Sequence, residues 1–231
     1  VKPLNAKPES KSLNCQRASA PEKPESETAF APVALSVPHH PTRPPAPRGR
    51  FYEASDKCCN KVFSLRSLDP ASDLHLFHRW QNNSRVAEFW NEQGDLNHHR
   101  TYLQSLQDDP HSFAAIGYID DVACAYFEIY WTLEDRLGPH YDSAPHDRGF
   151  RILIGEDSHA GKGFGSSWVR AVSHAIFLSD PKTRRIYCEP NAKNAALIAS
   201  ARKVGYEVLK EFDFPHKRAA LLECTRQRFF S

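Results

Sequence analysis

The stretch from Asp147 to Glu189 constrains this chain more than any other. It predicts a strand (150–155), a glycine-rich turn (Gly161-Lys162-Gly163-Phe164-Gly165), a helix (166–178) and a second strand (185–189). Strand, loop, helix and strand make a βαβ unit. A glycine loop at a helix start offers unpaired backbone N–H groups and the positive end of the helix dipole, which suits a phosphate. The two strands carry different chemistry: Arg151 on the first and Glu189 at the end of the second. This stretch therefore predicts a pyrophosphate-bearing ligand on the loop and a reaction between the strands.

Composition separates the chain into two parts. Residues 1–58 hold most of the prolines, including Pro38-His39-His40-Pro41 and Pro44-Pro45, and show no helical or strand period. Such a segment cannot bury enough surface to offset its chain entropy, so 1–58 is expected to be a disordered tail or linker. Residues 59–231 are long enough for one α/β domain with a sizeable core. The net charge of +2 argues against nucleic acid, and no basic stripe with interleaved aromatics is present. The six cysteines (Cys15, Cys58, Cys59, Cys124, Cys188 and Cys224) form no C-x-x-C pair. They fit a reducing, cytoplasmic setting better than a disulfide framework. No apolar run approaches 20 residues, so no membrane span is expected. The chain begins at Val1, which leaves N-terminal targeting open, as the oligomeric state is open.

Along the folded part, 61–67 alternates like a strand and Asp69-Pro70 breaks it. Ser72 or Asp73 then caps a helix to Asn82. His75 and His78 on that helix lack a third ligand at a recognisable spacing, so packing is favoured over metal binding. A second helix is expected over 96–106. The clearest hairpin joins 112–119 to 122–131 through Asp120-Asp121. Glu128 is unusual in so aromatic a strand: either it holds a cationic group or it faces solvent. The polar loop 132–146 is either a lid or an ordinary connection. A helix over 191–204, ended by Gly205, and two strands (206–212 and 219–224) complete the pattern.

The glycine loop alone is ambiguous. It follows about the fourth strand, not the first as in a dinucleotide-binding fold, and it is not a P-loop. The run Ala160-Gly161-Lys162-Gly163-Phe164-Gly165 resembles the Gln/Arg-x-x-Gly-x-Gly/Ala loop of GNAT acyltransferases, which binds the coenzyme A pyrophosphate. Gly163 and Gly165 match; Ala160 replaces the usual Gln or Arg. Further runs resemble one branch, the siderophore-biosynthesis acyltransferases of the aerobactin and mycobactin type and their fungal hydroxyornithine relatives. These runs are His75-Leu76-Phe77-His78-Arg79-Trp80, Arg85-Val86-Ala87-Glu88-Phe89-Trp90, Tyr126-Phe127-Glu128-Ile129-Tyr130-Trp131, Asp147-Arg148-Gly149 with Leu153-Ile154-Gly155-Glu156, Cys188-Glu189-Pro190-Asn191 with Asn194, and Phe214-Pro215-His216-Lys217.

The resemblance implies a GNAT fold: a mixed, mostly antiparallel sheet with a central splayed parallel pair, flanked by helices. It implies acetyl-CoA or another acyl-CoA as co-substrate, no metal, and a small-molecule acceptor such as N5-hydroxyornithine or an N-hydroxylysine. The product would be a hydroxamate. Leu153, Ile154, Gly161, Lys162, Gly163, Phe164, Gly165 and Asn194 are then expected at the cofactor. Trp90, Glu128, Tyr130, Trp131, Asp147 and His216 are expected around the acceptor, although the aromatic members serve equally as core. Glu189 matches the branch's acidic catalytic position. The branch's histidine is Arg151 here, and an arginine stays protonated and cannot be a base. A structural ion pair for Glu189, with Arg185 or Lys193, is the competing expectation.

Overall fold

The computed structural model describes residues 42–231; the remainder of the expected tail, with Cys15 and the Pro38–Pro41 run, lies outside the described residues. The strands are β1 (Arg50–Asp56), β2 (Lys61–Ser67), β3 (Ser112–Ile119), β4 (Val122–Trp131), β5 (Arg148–Ile154), β6 (Arg185–Cys188), β7 (Glu207–Phe214) and β8 (Lys217–Thr225). They form one sheet in the order β1-β2-β3-β4-β5-β6-β8-β7. Every neighbouring pair is antiparallel except β5 and β6, which are parallel. This is the mixed sheet with a central parallel pair that the resemblance implied.

The expected boundary at residue 59 is corrected by β1. Residues 50–56 pair with 61–66 of β2 in register Asp56↔Lys61 through Arg50↔Arg66, so the sheet begins inside the segment assigned to the tail. The proline-rich neighbourhood hid Phe51-Tyr52, whose rings pack into the core.

The helices are α1 (Pro70–Gln81), α2 (Ser84–Trp90), α3 (Leu96–Asp108), α4 (Gly165–Ser179), α5 (Ala195–Arg202) and α6 (Arg226–Phe230). Helix α1 starts earlier than the sequence suggested. Asp69 is its N-cap, accepting from the Ala71 N–H, and Pro70 takes the first helical position, where its missing N–H costs nothing. Asp73 is not the N-cap residue; it is buried, reaches back to accept the Asp69 N–H at 2.8 Å and accepts two bonds from Arg66 of β2, at 2.8 and 3.0 Å. Helix α5 starts later than expected, because Asn191 turns the chain onto the Lys193 N–H and Asn194 caps with its side chain on the Leu197 N–H.

Apolar cores cover both faces of the sheet, with a third cluster of Tyr130, Leu137, Tyr187, Phe214, Ala219 and Leu221. On one face, Leu74, Phe77, Trp80, Val86 and Leu103 of α1–α3 pack on Ile116, Tyr126 and Leu153. On the other, Trp168, Val172 and Ile176 of α4 pack on Phe63, Phe127, Ile129 and Phe150. Strand alternation makes this possible: even-numbered Tyr126, Glu128 and Tyr130 of β4 face the α1–α3 side, and the odd-numbered residues between them face α4.

The Arg66–Asp73 pair ties α1 to the sheet. Asp73→Ala is expected to destabilise the domain by about 2 kcal/mol, the partly exposed guanidinium tempering the loss. Asp121→Asn keeps a residue suited to the left-handed φ of 64° at that turn position, removes the charge of an exposed pair with Arg50 and is expected to leave the urea midpoint unchanged. Equilibrium urea unfolding of the two variants checks the contrast.

Candidate active site

Strands β5 and β6 pair only at Arg148↔Ile186 and Gly149↔Tyr187. Beyond that point β5 stays on β4 as far as Ile154↔Ala125, while β6 runs into Glu189-Pro190 and Asn191 bridges to Ala219 of β8. A gap opens down the middle of the sheet. By alternation, the backbone groups of 150, 152 and 154 point to the edge that β6 has left. Trp90 reaches that edge, its Nε1–H donating to the Ile152 carbonyl at 3.3 Å, and Arg85 donates to the Ile154 carbonyl at 2.8 Å. Trp90 thus walls the gap, and Leu153 and Ile154 form its β5 side.

The glycine loop stands at the end of the same strand. Gly161 (φ +69°) and Gly163 (φ +84°) both lie in the left-handed region, with open space where a Cβ would be. Their requirement is conformational, and it leaves the loop backbone accessible. Helix α4 then starts at Phe164 with no side-chain cap. Its first-turn N–H groups and dipole therefore face outward, as a pyrophosphate requires. Lys162 is exposed beside them. The open strand edge and the uncapped helix start are features that an extended arm and a phosphate would use. Asn194, at the start of α5, uses its side chain as a cap.

Arg151 and Glu189 meet across the mouth of the gap. The last same-face pair in register is Gly149↔Tyr187, and two residues further along each strand are Arg151 and Glu189. Where the ladder stops, side chains replace it: Arg151 Nε donates to Glu189 Oε1 at 2.8 Å. Arg151 also donates from one nitrogen to both oxygens of Asp135, at 2.9 and 3.0 Å, and lies 3.5 Å from Glu128. Its guanidinium stacks on Tyr130, 4.1 Å from the ring centroid. Tyr130 donates its hydroxyl to Glu189 Oε2 at 2.5 Å, and Lys217 Nζ reaches the Glu189 carbonyl at 2.6 Å. The ring of Tyr130 lies against Gly149, where a Cβ would come within 2.2 Å of it. Glycine at 149 is what lets the phenol reach Glu189.

The electrostatics follow from this packing. Burial alone would raise the Glu189 pKa, but Arg151, then Lys217, outweigh it and hold the carboxylate at about 2. Burial alone would lower Arg151, but Asp135, Glu189, Tyr130 and Glu128 together raise it well above its ordinary value. Burial and then the Glu189 charge push the Tyr130 phenol up. Glu128 is buried, 3 % exposed, and not on a solvent face. Tyr102 of α3 donates to it at 2.5 Å and Tyr126 at 3.0 Å. His216, at the β7–β8 corner, stacks on Phe214; partial burial and the nearby cations Arg136, Lys217 and Arg151 pull it down to about 4.

Two expected site residues lie elsewhere. Asp147 precedes β5 at its paired end, and its carboxylate is occupied by Arg185, the Ala144 N–H and Tyr141. Trp131 is buried at the same end, 3.9 Å beneath Arg148. Neither borders the gap. Arg185 pairs with Asp147, so Glu189 takes Arg151, not Arg185 or Lys193, as its partner. Asp135 was missed. It lies in a loop 16 residues before Arg151, and no periodicity marks a loop acid that folds back onto a strand. His78 meets His99 at 2.8 Å, and among the described residues no group of three or more His, Cys, Asp or Glu side chains could hold a metal ion.

Known proteins resemble this chain in sequence and fold. A family model described as an acetyltransferase (GNAT) domain matches residues 69–214. The chain belongs to the GNAT acetyltransferase family. An N(6)-hydroxylysine O-acetyltransferase of Escherichia coli is 40 % identical over 193 residues, covering 84 % of this chain and 61 % of that protein. The N(5)-hydroxyornithine:cis-anhydromevalonyl coenzyme A-N(5)-transacylase of Beauveria bassiana is 42 % identical over 195 residues, 83 % of this chain and 43 % of that protein. This GNAT chain therefore spans about half the length of the curated relatives it matches. Among solved structures, an uncharacterized protein from Bacillus halodurans superposes with a TM-score of 0.75 at 29 % identity, over 79 % of this chain and 93 % of that one. The aminoglycoside acetyltransferase AAC(6')-Ib, solved with paromomycin and acetyl-CoA, does so at 0.67 and 27 % identity, over 73 % and 96 %. No helix among the described residues is long and apolar enough to cross a membrane.

The Glu189 shift has a sign that can be tested. A carboxylate whose pKa falls from 4.5 to about 2 on folding contributes stability above pH 4.5 and loses it as pH falls towards 2. Glu189→Gln is expected to flatten that part of the acid-unfolding curve, measured as melting temperature against pH.

Proposed function

We propose that this domain transfers an acyl group, most simply acetyl, from acyl-CoA to the side-chain hydroxylamine nitrogen of N5-hydroxyornithine or its hydroxylysine homologue, forming a hydroxamate for a siderophore. The observation that carries this reading is the ionised Glu189 clamped by Arg151. A carboxylate held near 2 is a poor base for an alkylammonium such as lysine, whose pKa is about 10.4. It is adequate for a nitrogen that is already neutral at pH 7, as a hydroxylamine is. The names of the Escherichia coli and Beauveria bassiana relatives point to the same acceptor class.

The thioester supplies an activated acyl carbonyl; the chain's residues do the rest. The β5 edge and the glycine loop hold the arm and the pyrophosphate. The acceptor enters from the α1–α3 face, where Glu128 and Asp135 favour its α-ammonium group, and His216 with Lys217 borders its carboxylate. The nitrogen lone pair forms the new C–N bond as the C–S bond breaks. The displaced nitrogen proton passes to Glu189 Oε2, beside the Tyr130 hydroxyl, and from there to the departing sulfur, so coenzyme A leaves as the thiol and Glu189 returns to its carboxylate. Arg151 acts as positive charge near the carbonyl oxygen and as the group that orients Glu189.

A second reading, acylation of another amine such as an aminoglycoside, draws on the likeness to AAC(6')-Ib and on the carboxylates around Arg151. Incubation with acetyl-CoA and N5-hydroxyornithine, ornithine or kanamycin separates the two. The proposal expects thiol release and ferric hydroxamate colour with the hydroxylamine alone. Thiol release without colour means transfer to oxygen, and release with kanamycin alone favours the second reading. No release with any acceptor, coenzyme A binding intact, leaves a CoA-binding scaffold.

Glu189→Gln is expected to lower kcat about 10²-fold with little change in acyl-CoA affinity; unchanged turnover removes it as the proton acceptor. Gly163→Val forces a β-branched residue to a positive φ, a strain of about 1–3 kcal/mol. Calorimetry should show coenzyme A binding weakened about tenfold.

A further inference from the structure

A cavity of about 330 Å³ lies on the α4 face of the sheet, well away from the acyl-transfer gap. It is lined by the C-terminal end of α4, including Ser179, whereas the glycine loop abuts the N-terminal end. A helix of 15 residues separates the two by about 20 Å. The walls are mainly apolar: Phe51, Phe113, Ile129 and Trp131, with Pro44–Pro47 along one side.

Into these walls is set Arg148. It is 4 % exposed, forms no ion pair with any described carboxylate, and its Nε has no hydrogen-bond partner. Its guanidinium is held flat by aromatic rings, 3.9 Å from the Trp131 centroid and 5.9 Å from that of Phe113. The acid that attracts it, Asp180, is already engaged by His146 Nδ1 and the Lys182 N–H, both at 2.9 Å. A second cation, Arg43, also stacks on Trp131, at 4.6 Å, but it is paired with Glu134 at 2.8 Å. The hydroxyls of Ser112 and Ser179 bond within the protein, to Asp109 and the Ile176 carbonyl. Arg148 is thus the polar group in this cavity that the fold leaves unmatched. Burial lowers its pKa to about 9, with Asp180 opposing and Arg43 adding to the shift, so the group remains charged at neutral pH.

A buried, uncompensated guanidinium destabilises a fold unless something completes it. Arg presents a planar fork suited to a carboxylate, and rings on its faces leave the in-plane donors as the way to satisfy it. The surrounding walls require the rest of the ligand to be apolar. We propose that the cavity at Arg148 is a binding site for a small organic carboxylate with an apolar or aromatic body, separate from the acyl-CoA and acceptor sites.

The test uses the full chain with benzoate and 3-phenylpropionate as probes, and benzamide as the uncharged control. The expected result is a saturable rise in melting temperature with both acids, accompanied by a change in tryptophan fluorescence, and neither with benzamide. Arg148→Met should weaken benzoate binding about tenfold or more and, without ligand, melt no lower than the wild type, because an unpaired charge has been removed. Ser179→Trp, a change at an exposed position, should block the cavity from α4 and abolish the response while leaving Arg148 in place. Saturating acetyl-CoA should leave the benzoate isotherm unchanged. No saturable response in the wild type, an equal response to benzamide or in Arg148→Met, or competition by acetyl-CoA would each overturn the proposal.

Discussion

The partly buried guanidinium of Arg151 makes the ion pairs on which this face of the sheet depends. It stands among three carboxylates contributed by separate pieces of chain: Glu128 from β4, Asp135 from the following loop and Glu189 from the end of β6. Removing the cation would leave buried acids in mutual repulsion, each needing a proton or a partner. With it, Glu189 stays an anion, Asp135 draws its loop against the sheet, and Tyr130 keeps its hydroxyl on Glu189. One arginine thereby fixes the geometry of this cluster and keeps Glu189 charged. Under the proposed function, the same pairing would set what the site accepts. An acceptor nitrogen that arrives without a proton to lose before attack needs only a weak base and good alignment, and alignment is what a clamped carboxylate offers.

The clamp also closes a structural gap. The parallel ladder between β5 and β6 ends at Gly149↔Tyr187, and a sheet parted at its centre exposes backbone groups along one edge. Trp90 and Arg85 satisfy part of that edge from the α2 side; the arm of a coenzyme would extend along it. The glycine loop lies at the far end of β5. Its two positive-φ glycines turn the chain so that α4 starts with its N–H groups uncovered. The open edge, the loop and the ion pair are thus three consequences of one event, the parting of two strands.

Most of this framework was legible in the sequence because it rests on local signals. The hairpin at Asp120-Asp121, the glycine loop and the strand–loop–helix–strand order follow from periodicity and turn chemistry, and the motif resemblance assembled them. What failed was non-local. β1 was hidden because Phe51-Tyr52 sits among prolines and charges and becomes a strand only by pairing with β2. Asp73 looked like the N-cap residue and is instead a buried partner for Arg66. Asp135 carried no signal, since its role depends on a loop returning to Arg151. Asp147 and Trp131, neighbours of site residues in sequence, lie at the closed end of the strands. Glu128 was correctly marked as anomalous, but only the three-dimensional pairing shows why a carboxylate can be buried there.

The proposed chemistry depends on Glu189 being held as an anion by Arg151, and a direct measurement of its titration tests that most simply. With ¹³C-labelled glutamate and Glu189→Gln for assignment, the side-chain carboxyl resonance can be followed through acid pH. Glu189 is expected to titrate well below its ordinary 4.5, held down by Arg151 and Lys217. A midpoint at or above 4.5 would contradict it: Glu189 would then be a protonatable group in an apolar pocket, and the selection for an unprotonated acceptor would lose its physical basis.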